Sequence, residues 1–395
     1  MNILYITQLL PYPPDSGGRI KTLSTLRALC KKHKITIISF VTNDNEQKQA
    51  EKLKKVLLCN EILTVVNPLV VEKNLEQQLW VMFKSLFTLK PYALYKFWSN
   101  EMSALVLRIT RERRFDCYWF DHLSMTQYCP RSHVVPRVLE NHNVEHVLYL
   151  RHAQHESKLL WRLFFYLESA KYWLYEKSVA GRFKKILVIS NNDRKQASGN
   201  SVVYPPAVSG SYFSLKRKPI PNTLLFMGLL TWYPNKQGVL WFIKRVFPII
   251  SSRHTNTRLV VVGDKTKRFP VGKNRNIHFT GYVKSVIPYL QNASIFIAPI
   301  LFGSGVRIKI LEAMAAGIPV VSTTIGAEGI QATNNKNICI ADTPQEFANS
   351  VINLLSNDKV SKTIGSAARN FVRSHHTQRH VDTIIAGVLE SIKKP

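Results

Sequence analysis

The chain has 395 residues, which exceeds what one hydrophobic core usually serves and favours two domains of similar size. Hydrophobic residues make up 45%, an ordinary globular share that argues against long disorder. With 54 Lys and Arg against 25 Asp and Glu, the formal net charge is +29, which favours polyanionic partners such as nucleic acid, phosphorylated substrates or an anionic membrane surface.

The first apolar run has no basic leader and stops at Pro11, so we interpret it as a strand and a turn and not as a signal peptide. No apolar run reaches the roughly 18 residues that a membrane-spanning helix needs, so a soluble or peripheral protein is expected. The five cysteines are dispersed and lack the spacing of a zinc site, which favours a reducing compartment.

Short strand-like apolar runs alternate with helix-length segments along the chain. Two series are found, first Ile3–Thr7, Ile35–Phe40, Glu61–Val66, Cys117–Phe120, Arg137–Glu140 and Ile186–Ile189, then Thr223–Phe226, Arg258–Val262, Ile277–Thr280, Ser294–Ala298, Pro319–Ser322 and Asn337–Ile340. Such alternation is typical of βαβ units and parallel sheets. The sequence therefore predicts an α/β protein with two doubly wound domains, each with a ligand-binding edge at the carboxyl ends of its strands.

Prolines at the end of the first series mark a boundary between the two domains. We predict an N-terminal domain over residues 1–205, a linker over 206–222 and a C-terminal domain over 223–375. Residues 376–395 have helical apolar spacing. These residues are expected to form a last helix that packs on either domain, and packing back on the N-terminal domain is one option.

Two segments of the N-terminal half, 79–95 and 158–185, are rich in aromatic residues. The second ends in the basic cluster Arg182-Phe183-Lys184-Lys185. Two interpretations stay open for both segments. One is a helix that lies on a membrane surface, and the other is a long helix packed within the N-terminal domain.

The most informative segment is glycine-rich and leads into a helix. Gly303 and Gly305 let the backbone approach a ligand, and the helix points its N-terminus at the same place. Arg307 and Lys309 add positive charge there, and Glu312 offers a carboxylate to a ribose diol. Together these groups suit a nucleoside diphosphate. The alternative is that the glycines serve a turn and Glu312 is a solvated helix residue.

This segment resembles the retaining glycosyltransferases of family 4, which have the GT-B fold of two Rossmann-like domains facing a central cleft. The match is to the subgroup pattern Gly-x-Gly-x-Arg-x-Lys-x-Leu-Glu-Ala-Met-Ala. Ser304 stands where the family's signature has its first glutamate, and the glycine pattern is itself a variant within the family. The resemblance implies that the nucleotide-sugar donor is bound by Gly303, Ser304, Gly305, Arg307, Lys309 and Glu312.

The resemblance covers residues 224–322. Gly228 matches the glycine that follows the first strand of the family's donor domain, and Lys236 suits a ligand of the donor phosphates. Leucine occupies the position of the family's arginine, so the cations Arg307 and Lys309 are expected to supply the missing charge.

The N-terminal half resembles the family less closely. Gly17-Gly18-Arg19 looks like the glycine loop that faces donor and acceptor, although a hairpin-like turn stays open for it. Asp121 ends a strand at the position of a family histidine beside the transferred sugar, and His142 matches a second recurrent histidine. We predict catalytic-side roles for Asp121 and His142, with a structural or acceptor-side role as the alternative for His142 and for His122.

The chain has no Asp-x-Asp metal motif, so the leaving pyrophosphate has to be stabilised by fixed cations and a helix N-terminus. We therefore expect metal-independent transfer without a cofactor, with the donor in the C-terminal domain and the acceptor in the N-terminal one. Cleft closure would exclude water. Retention of the anomeric configuration is implied by the resemblance.

The expected function is hexosyl transfer from a nucleoside-diphosphate sugar to a saccharide or lipid-linked acceptor in envelope polysaccharide or glycolipid synthesis. A cytoplasmic location is expected, with peripheral attachment to the inner face of the plasma membrane as an option. Two alternatives stay open: a nucleotide-sugar epimerase of the same fold, and a basic nucleic-acid-binding protein. Basic residues are spread over both halves, so nucleic acid is not an expected partner.

Overall fold

The computed structural model describes residues 1–59, 61–67, 75–130, 134–263, 274–303 and 305–393. The chain divides into two compact units. Unit 1 comprises Met1–Pro206 together with Val381–Pro395, and unit 2 comprises Ala207–His380. Each is described by itself below.

Unit 1 is built on a parallel sheet. In the described residues its strands are β1 (Asn2–Thr7), β2 (Lys34–Val41), β3 (Glu61–Val66), β4 (Cys117–Asp121), β5 (Arg137–Glu140), β6 (Lys185–Val188) and β7 (Ser201–Val203). They lie in the order β3-β2-β1-β4-β5-β6-β7. The order changes direction between β1 and β4, and at such a point the crevice outside the strand ends is open to a ligand.

Helices follow most strands of unit 1. The described ones are α1 (Gly17–Cys30), α2 (Asp44–Leu57), α3 (Leu75–Leu86), α4 (Tyr92–Lys96), α5 (Asn100–Glu112), a 3₁₀ helix (Leu123–Tyr128), α6 (Glu145–His155), α7 (Leu159–Ala180) and α8 (Asn191–Gln196). Asn43, Ser99 and Ser190 cap α2, α5 and α8 through their side chains, which satisfies backbone N–H groups at those helix starts.

Unit 2 contains a second parallel sheet. Its described strands are β8 (Thr223–Met227), β9 (Arg258–Val262), β10 (Ile277–Gly281), β11 (Ile295–Ala298), β12 (Val320–Ser322) and β13 (Cys339–Ile340), in the order β10-β9-β8-β11-β12-β13. Along β8, Leu225 and Met227 enter one core while Leu224 and Phe226 enter another. Because both faces are covered, the strand is a continuous apolar run. The predicted two doubly wound α/β domains are confirmed.

The described helices of unit 2 are α9 (Gly210–Phe213), α10 (Tyr233–Trp241), a π-helical segment (Phe242–Val246), α11 (Phe247–Arg253), α12 (Ile287–Asn292), α13 (Ile308–Ala315), α14 (Pro344–Ser356) and α15 (Asp358–His375). Of the linker predicted over 206–222, all residues after Pro206 belong to this unit and include α9. Arg217 anchors them, because its guanidinium donates to the carbonyls of Gly317 and Ala293 at 2.7 Å each.

The last helix, α16, runs over Gln378–Lys393. From Val381 onwards the chain is part of unit 1, and Ile385, Val388, Leu389 and Ile392 are buried there. Lys31, the residue that follows α1, forms an ion pair of 2.5 Å with Asp382. In the described part of the chain, no helix is both long and apolar enough to cross a membrane.

Candidate functional site

In unit 1, polar side chains gather where the order of strands changes direction. Thr7, Asp121 and Glu140 are the last residues of β1, β4 and β5, and the register pairs Thr7 with Asp121 and Asp121 with Glu140. Both carboxylates are fully buried. Because buried carboxylates need hydrogen-bond donors, their partners define the site.

The carboxylate of Asp121 has partners on both oxygens. Oδ2 accepts hydrogen bonds from the hydroxyls of Thr7 at 2.6 Å and Thr22 at 2.8 Å. Oδ1 lies 2.7 Å from Nε2 of His142 and 3.3 Å from Nδ1 of His122. Burial alone would raise the pKa of Asp121, but the two imidazoles outweigh it and hold the pKa well below its usual range.

The rings of His122 and His142 stack with their centroids 3.9 Å apart. They differ in exposure, because 21% of the His122 side chain is accessible and only 7% of that of His142. Burial and the neighbouring His122 lower the pKa of His142 to about 4. For His122, burial is outweighed by the charge of Asp121, which raises the pKa. His122 is therefore the member of the pair that can meet a ligand and be protonated.

His122 also has an unusual backbone conformation, because its φ is 76°, a positive value that is uncommon for a residue other than glycine. Its N–H donates to the carbonyl of Glu140 at 2.9 Å, so the conformation is held by the neighbouring strand. Residues held in such sparsely populated backbone regions cost about 1–3 kcal/mol and cluster at functional sites. This observation agrees with the placement of His122 at the ligand edge.

Glu140 is the second buried carboxylate at this edge. Its Oε1 accepts from Lys21 at 2.7 Å and Thr25 at 2.8 Å, and its Oε2 accepts from Trp119 at 3.0 Å. The ammonium of Lys21 also lies 4.0 Å from the ring centroid of Tyr204. Removing one partner of such a buried pair leaves an uncompensated charge, so this network holds α1 firmly against the strand ends.

The predicted glycine loop forms the start of α1. Gly17 and Gly18 are its first two residues, and a Cβ added to Gly18 would lie 3.7 Å from Nδ1 of His142. The loop is thus next to the histidine pair. Arg19 instead forms ion pairs with Asp15 at 3.2 Å and Glu46 at 2.6 Å.

Asp121, His122 and His142 could also hold a metal ion, since one ligand atom from each lies within 4.8 Å of the others. Two imidazoles and a carboxylate suit Zn²⁺ or a similar transition metal. Without a metal, the same three groups form a carboxylate that orients two imidazoles. The predicted absence of a metal requirement therefore stays a prediction.

In unit 2 the corresponding change of direction lies between β8 and β11, and Gly228 directly follows β8. Its φ is 153°, and a Cβ added there would lie 2.7 Å from Nδ2 of Asn235 and 3.0 Å from Nζ of Lys309. Lys309 donates to Oδ1 of Asn235 at 2.7 Å and lies 4.3 Å from the ring centroid of Phe226. Desolvation and the nearby Arg307 lower the pKa of Lys309 to about 7.

Gly303 and Gly305 both lie close to the side chain of Arg307, the residue that precedes α13. Gly303 and Gly305 both have positive φ, at 117° and 83°. A Cβ on Gly303 would lie 3.2 Å from a terminal nitrogen of Arg307. The guanidinium donates to the carbonyl of Gly305 and lies 6.0 Å from the ring centroid of Trp232. The structure thus brings Gly228, Gly303, Gly305, Arg307 and Lys309 together.

Glu312 lies one helical turn beyond Lys309 on α13. Desolvation raises the pKa of its carboxyl to about 7, and a hydrogen bond from Tyr212 offsets part of that rise. Lys236 lies on α10 next to Asn235 and is half-buried. Ser304 lies outside the described residues.

Four residues that complete these sites were not singled out by the sequence as site residues: Lys21, Glu140, Tyr212 and Asn235. For His122, a structural or acceptor-side role was expected. Glu140 and His122 did carry a signal, because each stands at the carboxyl end of a predicted strand. Lys21, Tyr212 and Asn235 lie on helices that are distant in sequence from the side chains they contact. The spacing of residues in the sequence does not predict these contacts.

Comparison with known proteins gives a matching family for unit 2 and a relative of similar length. Residues 221–357 match the model of the family described as Glycosyl transferases group 1. An uncharacterized 44.6 kDa protein in the cps region of Klebsiella pneumoniae is 24% identical over 399 residues, covering 96% of this chain and 97% of the relative.

Two solved structures show the same architecture over the whole chain. Sucrose-phosphate synthase from Thermosynechococcus elongatus gives a TM-score of 0.71 at 12% identity, with 99% of each chain covered. HepE from Anabaena, solved in complex with UDP, gives a TM-score of 0.65 at 13% identity, with 99% of this chain and 100% of that one covered. The fold is therefore GT-B, and together with the family match these findings support a glycosyltransferase.

Proposed function

We propose that this protein transfers a sugar from a nucleoside-diphosphate sugar to a saccharide or lipid-linked acceptor in polysaccharide synthesis, as a metal-independent, retaining enzyme of family 4. The observation that carries the proposal is the cluster of Arg307 and Lys309 against Gly228, Gly303 and Gly305. Two cations, glycine backbone and the start of α13 meet in it, and such groups suit a pyrophosphate.

In the reaction, the bond between the anomeric carbon and the leaving phosphate oxygen breaks, and a bond to an acceptor oxygen forms. The proton of that acceptor hydroxyl passes to the leaving diphosphate. Arg307 and Lys309 would stabilise the charge that develops on the leaving diphosphate. Glu312, when ionised, would accept hydrogen bonds from the ribose hydroxyls. The pKa of the Glu312 carboxyl is raised to about 7 and that of Lys309 is lowered to about 7. Donor binding needs the ionised carboxylate and the protonated ammonium together, so the donor affinity should be highest over a limited pH range.

Unit 1 would supply the acceptor side. His122 is the more accessible imidazole of the stacked pair, at 21%, and can hydrogen-bond a sugar hydroxyl, while Asp121 and His142 act as positioning residues behind it. The Asp121 carboxylate favours the protonated form of His122. This arrangement requires no metal at the three side chains.

Two relatives support the choice of substrates. The K. pneumoniae relative is described as a protein in the cps region, which supports a polysaccharide context. UDP is present in the HepE complex and is therefore the first nucleotide to test. A lipid-linked acceptor and a place of action on the inner face of the membrane belong to the same proposal, and the high positive charge supports them.

The test is a thermal-shift screen of the purified protein with UDP-, GDP- and other nucleotide sugars in the presence of EDTA. We expect one donor to raise the melting temperature, and the double variant Arg307→Ala, Lys309→Ala to lose that response. Lys362→Ala, which removes an exposed lysine elsewhere in unit 2, serves as the control and should respond like the wild type. A double variant that keeps the response would refute the donor site. With an acceptor found, NMR of the product's anomeric proton would test retention.

A further inference from the structure

Helix α7 presents an uncommon distribution of side chains. Its inner face is buried through Glu168, Tyr172 and Val179. Its outer face exposes a row of large apolar side chains at helical spacing, which we name the α7 stripe: Leu159, Leu163, Tyr166, Leu167, Trp173 and Leu174. Their exposed fractions run from 40% for Leu167 to 58% for Leu159. The segment thus has both features that its sequence suggested, a packed face and an apolar face open to solvent.

The acidic and basic residues of α7 lie on different faces of the helix. Both acidic residues are turned inward, where Glu168 pairs with Lys171 at 2.8 Å and Glu176 contacts His146 at 2.5 Å. The charged residues on the exposed side are all cationic: Lys158, which precedes the helix, Arg162 and Lys177. The outer face therefore combines apolar side chains with positive charge and offers no exposed carboxylate.

The cationic and apolar groups of this face also touch. The ammonium of Lys177 lies 3.7 Å from the ring centroid of Trp173. A lysine whose stem lies along an apolar surface with its charge at the edge is a typical side chain of a membrane interface. Trp and Tyr have the same preference, because each has an apolar body and a polar tip.

A second exposed apolar set lies on α3 and the residue after it: Leu79, Trp80, Phe83, Leu86 and Phe87. The end of α3 is joined to the middle of α7, because Lys171 donates to the carbonyl of Ser85 at 2.6 Å. Monomeric proteins seldom expose so many large apolar side chains in one unit without a partner for them.

We propose that the α7 stripe is a membrane-binding surface that lies flat in the headgroup region of an anionic bilayer. The charged residues along α7 exclude a membrane-crossing orientation, whereas a helix with one apolar face and cationic flanks is suited to the plane of the interface. The inference extends the proposed lipid-linked acceptor, since it would hold the enzyme where such an acceptor resides.

A second copy of the chain is the main competing occupant. Pairing two α7 stripes would bring Arg162 and Lys177 of both copies together, in a protein with a net charge of +29. Like charges across an interface weaken association. The same charges strengthen binding to phosphatidylglycerol, so the charge pattern favours the bilayer over self-association.

The test is flotation of the full chain with phosphatidylcholine vesicles that contain about one third phosphatidylglycerol, without any donor. We expect the wild type to float at low salt, and the variant Leu163→Ser, Leu167→Ser, Leu174→Ser to bind at least about tenfold more weakly. The matched control Val56→Ser, Leu107→Ser, Val134→Ser changes exposed apolar residues of unit 1 outside the stripe and should bind like the wild type.

Circular dichroism would verify that both variants are folded. A folded stripe variant that binds as well as the wild type would overturn the proposal, as would a wild type that forms dimers and does not float. The donor response in the thermal-shift screen should be the same in the stripe variant and in the wild type. Loss of the donor response in the wild type with intact flotation would refute the proposed transfer reaction and leave the membrane surface standing.

Discussion

Lys309 and Asn235 are joined by a hydrogen bond of 2.7 Å directly against the backbone of Gly228. The bond links α13 to α10, two helices that begin on either side of the change in strand order. It holds the Asn235 amide and the Lys309 ammonium within 3.0 Å of the position that a Cβ of residue 228 would take. The pair therefore explains why a residue without a side chain stands at position 228.

Gly228→Ala should disrupt this arrangement. Its Cβ would lie 2.7 Å from Asn235 and 3.0 Å from Lys309, and φ is 153°. We expect UDP affinity to fall at least about tenfold, with a loss of about 1–3 kcal/mol in the free energy of unfolding. Calorimetric titration and urea unfolding would measure the two effects. Gly387→Ala, where the added Cβ meets open space, should keep UDP affinity and be neutral or slightly stabilising.

Lys309→Met separates binding from stability. The pKa of Lys309 is lowered to about 7, so between that value and its ordinary one near 10.5 the unfolded chain binds more protons than the folded one. Wild-type stability therefore receives a contribution from Lys309 that rises with pH across this window. The variant should lose that contribution to the slope, be at least as stable at pH 7, and bind UDP at least about tenfold more weakly.

Urea unfolding at several pH values and UDP titration would check the Lys309 prediction. Lys362→Met, at an exposed position, is the control for removal of one charge. A Lys309→Met protein that binds UDP with wild-type affinity would show that this lysine is not a phosphate ligand.

The central strands of both units could be predicted from sequence because they are short apolar runs covered on both faces, as Leu224 to Met227 illustrate. Strand β7 was missed as a strand of the first series. Its three residues, Ser201–Val203, are only half-buried, so they lack a strong apolar pattern, and nearby prolines suggested a linker.

The sequence could predict the parts of the candidate sites that come from one continuous segment, as Gly303 and Gly305 beside Arg307 show. The sites were not predictable where a side chain arrives from elsewhere. Lys21 meets Glu140 across 119 positions of sequence, and Lys309 meets Asn235 across 74. Tyr212 was hidden in a stretch that its composition marked as a linker. Such pairings are set by sheet order and helix packing, which local patterns do not encode.

Tyr212→Phe should shift the pH dependence of donor binding. The hydrogen bond from Tyr212 lowers the pKa of Glu312, against the desolvation that raises it to about 7. Without the hydroxyl, the pKa of Glu312 should rise further. A ribose diol needs the ionised carboxylate, so UDP affinity should begin to rise only at higher pH in the variant. The folded state also takes up more protons than the unfolded one above pH 4.5, so the fall in stability with rising pH should extend further.

UDP titrations between acid and alkaline pH would measure the Tyr212 effect. Glu312→Gln should lack the acid-side change altogether, and Tyr233→Phe, at an exposed tyrosine of the same unit, should keep the wild-type profile. An unchanged acid-side midpoint in Tyr212→Phe would contradict the role assigned to Glu312.

Asp121→Asn tests the acceptor side alone. The substitution keeps the shape of the side chain but removes the charge that raises the pKa of His122 and holds the Nε2 atom of His142 at 2.7 Å. We expect the transfer rate to fall by about a hundredfold or more, while UDP affinity stays unchanged because the donor residues belong to unit 2. NMR titration of the imidazole protons should show a lower pKa for His122. Asp358→Asn, at an exposed position, controls for the loss of a carboxylate.

Since Asp121, His122 and His142 could also hold a metal, the assay is repeated with EDTA and with added Zn²⁺. A wild-type rate that EDTA abolishes and Zn²⁺ restores would assign Asp121 to metal binding instead of to the orientation of His122.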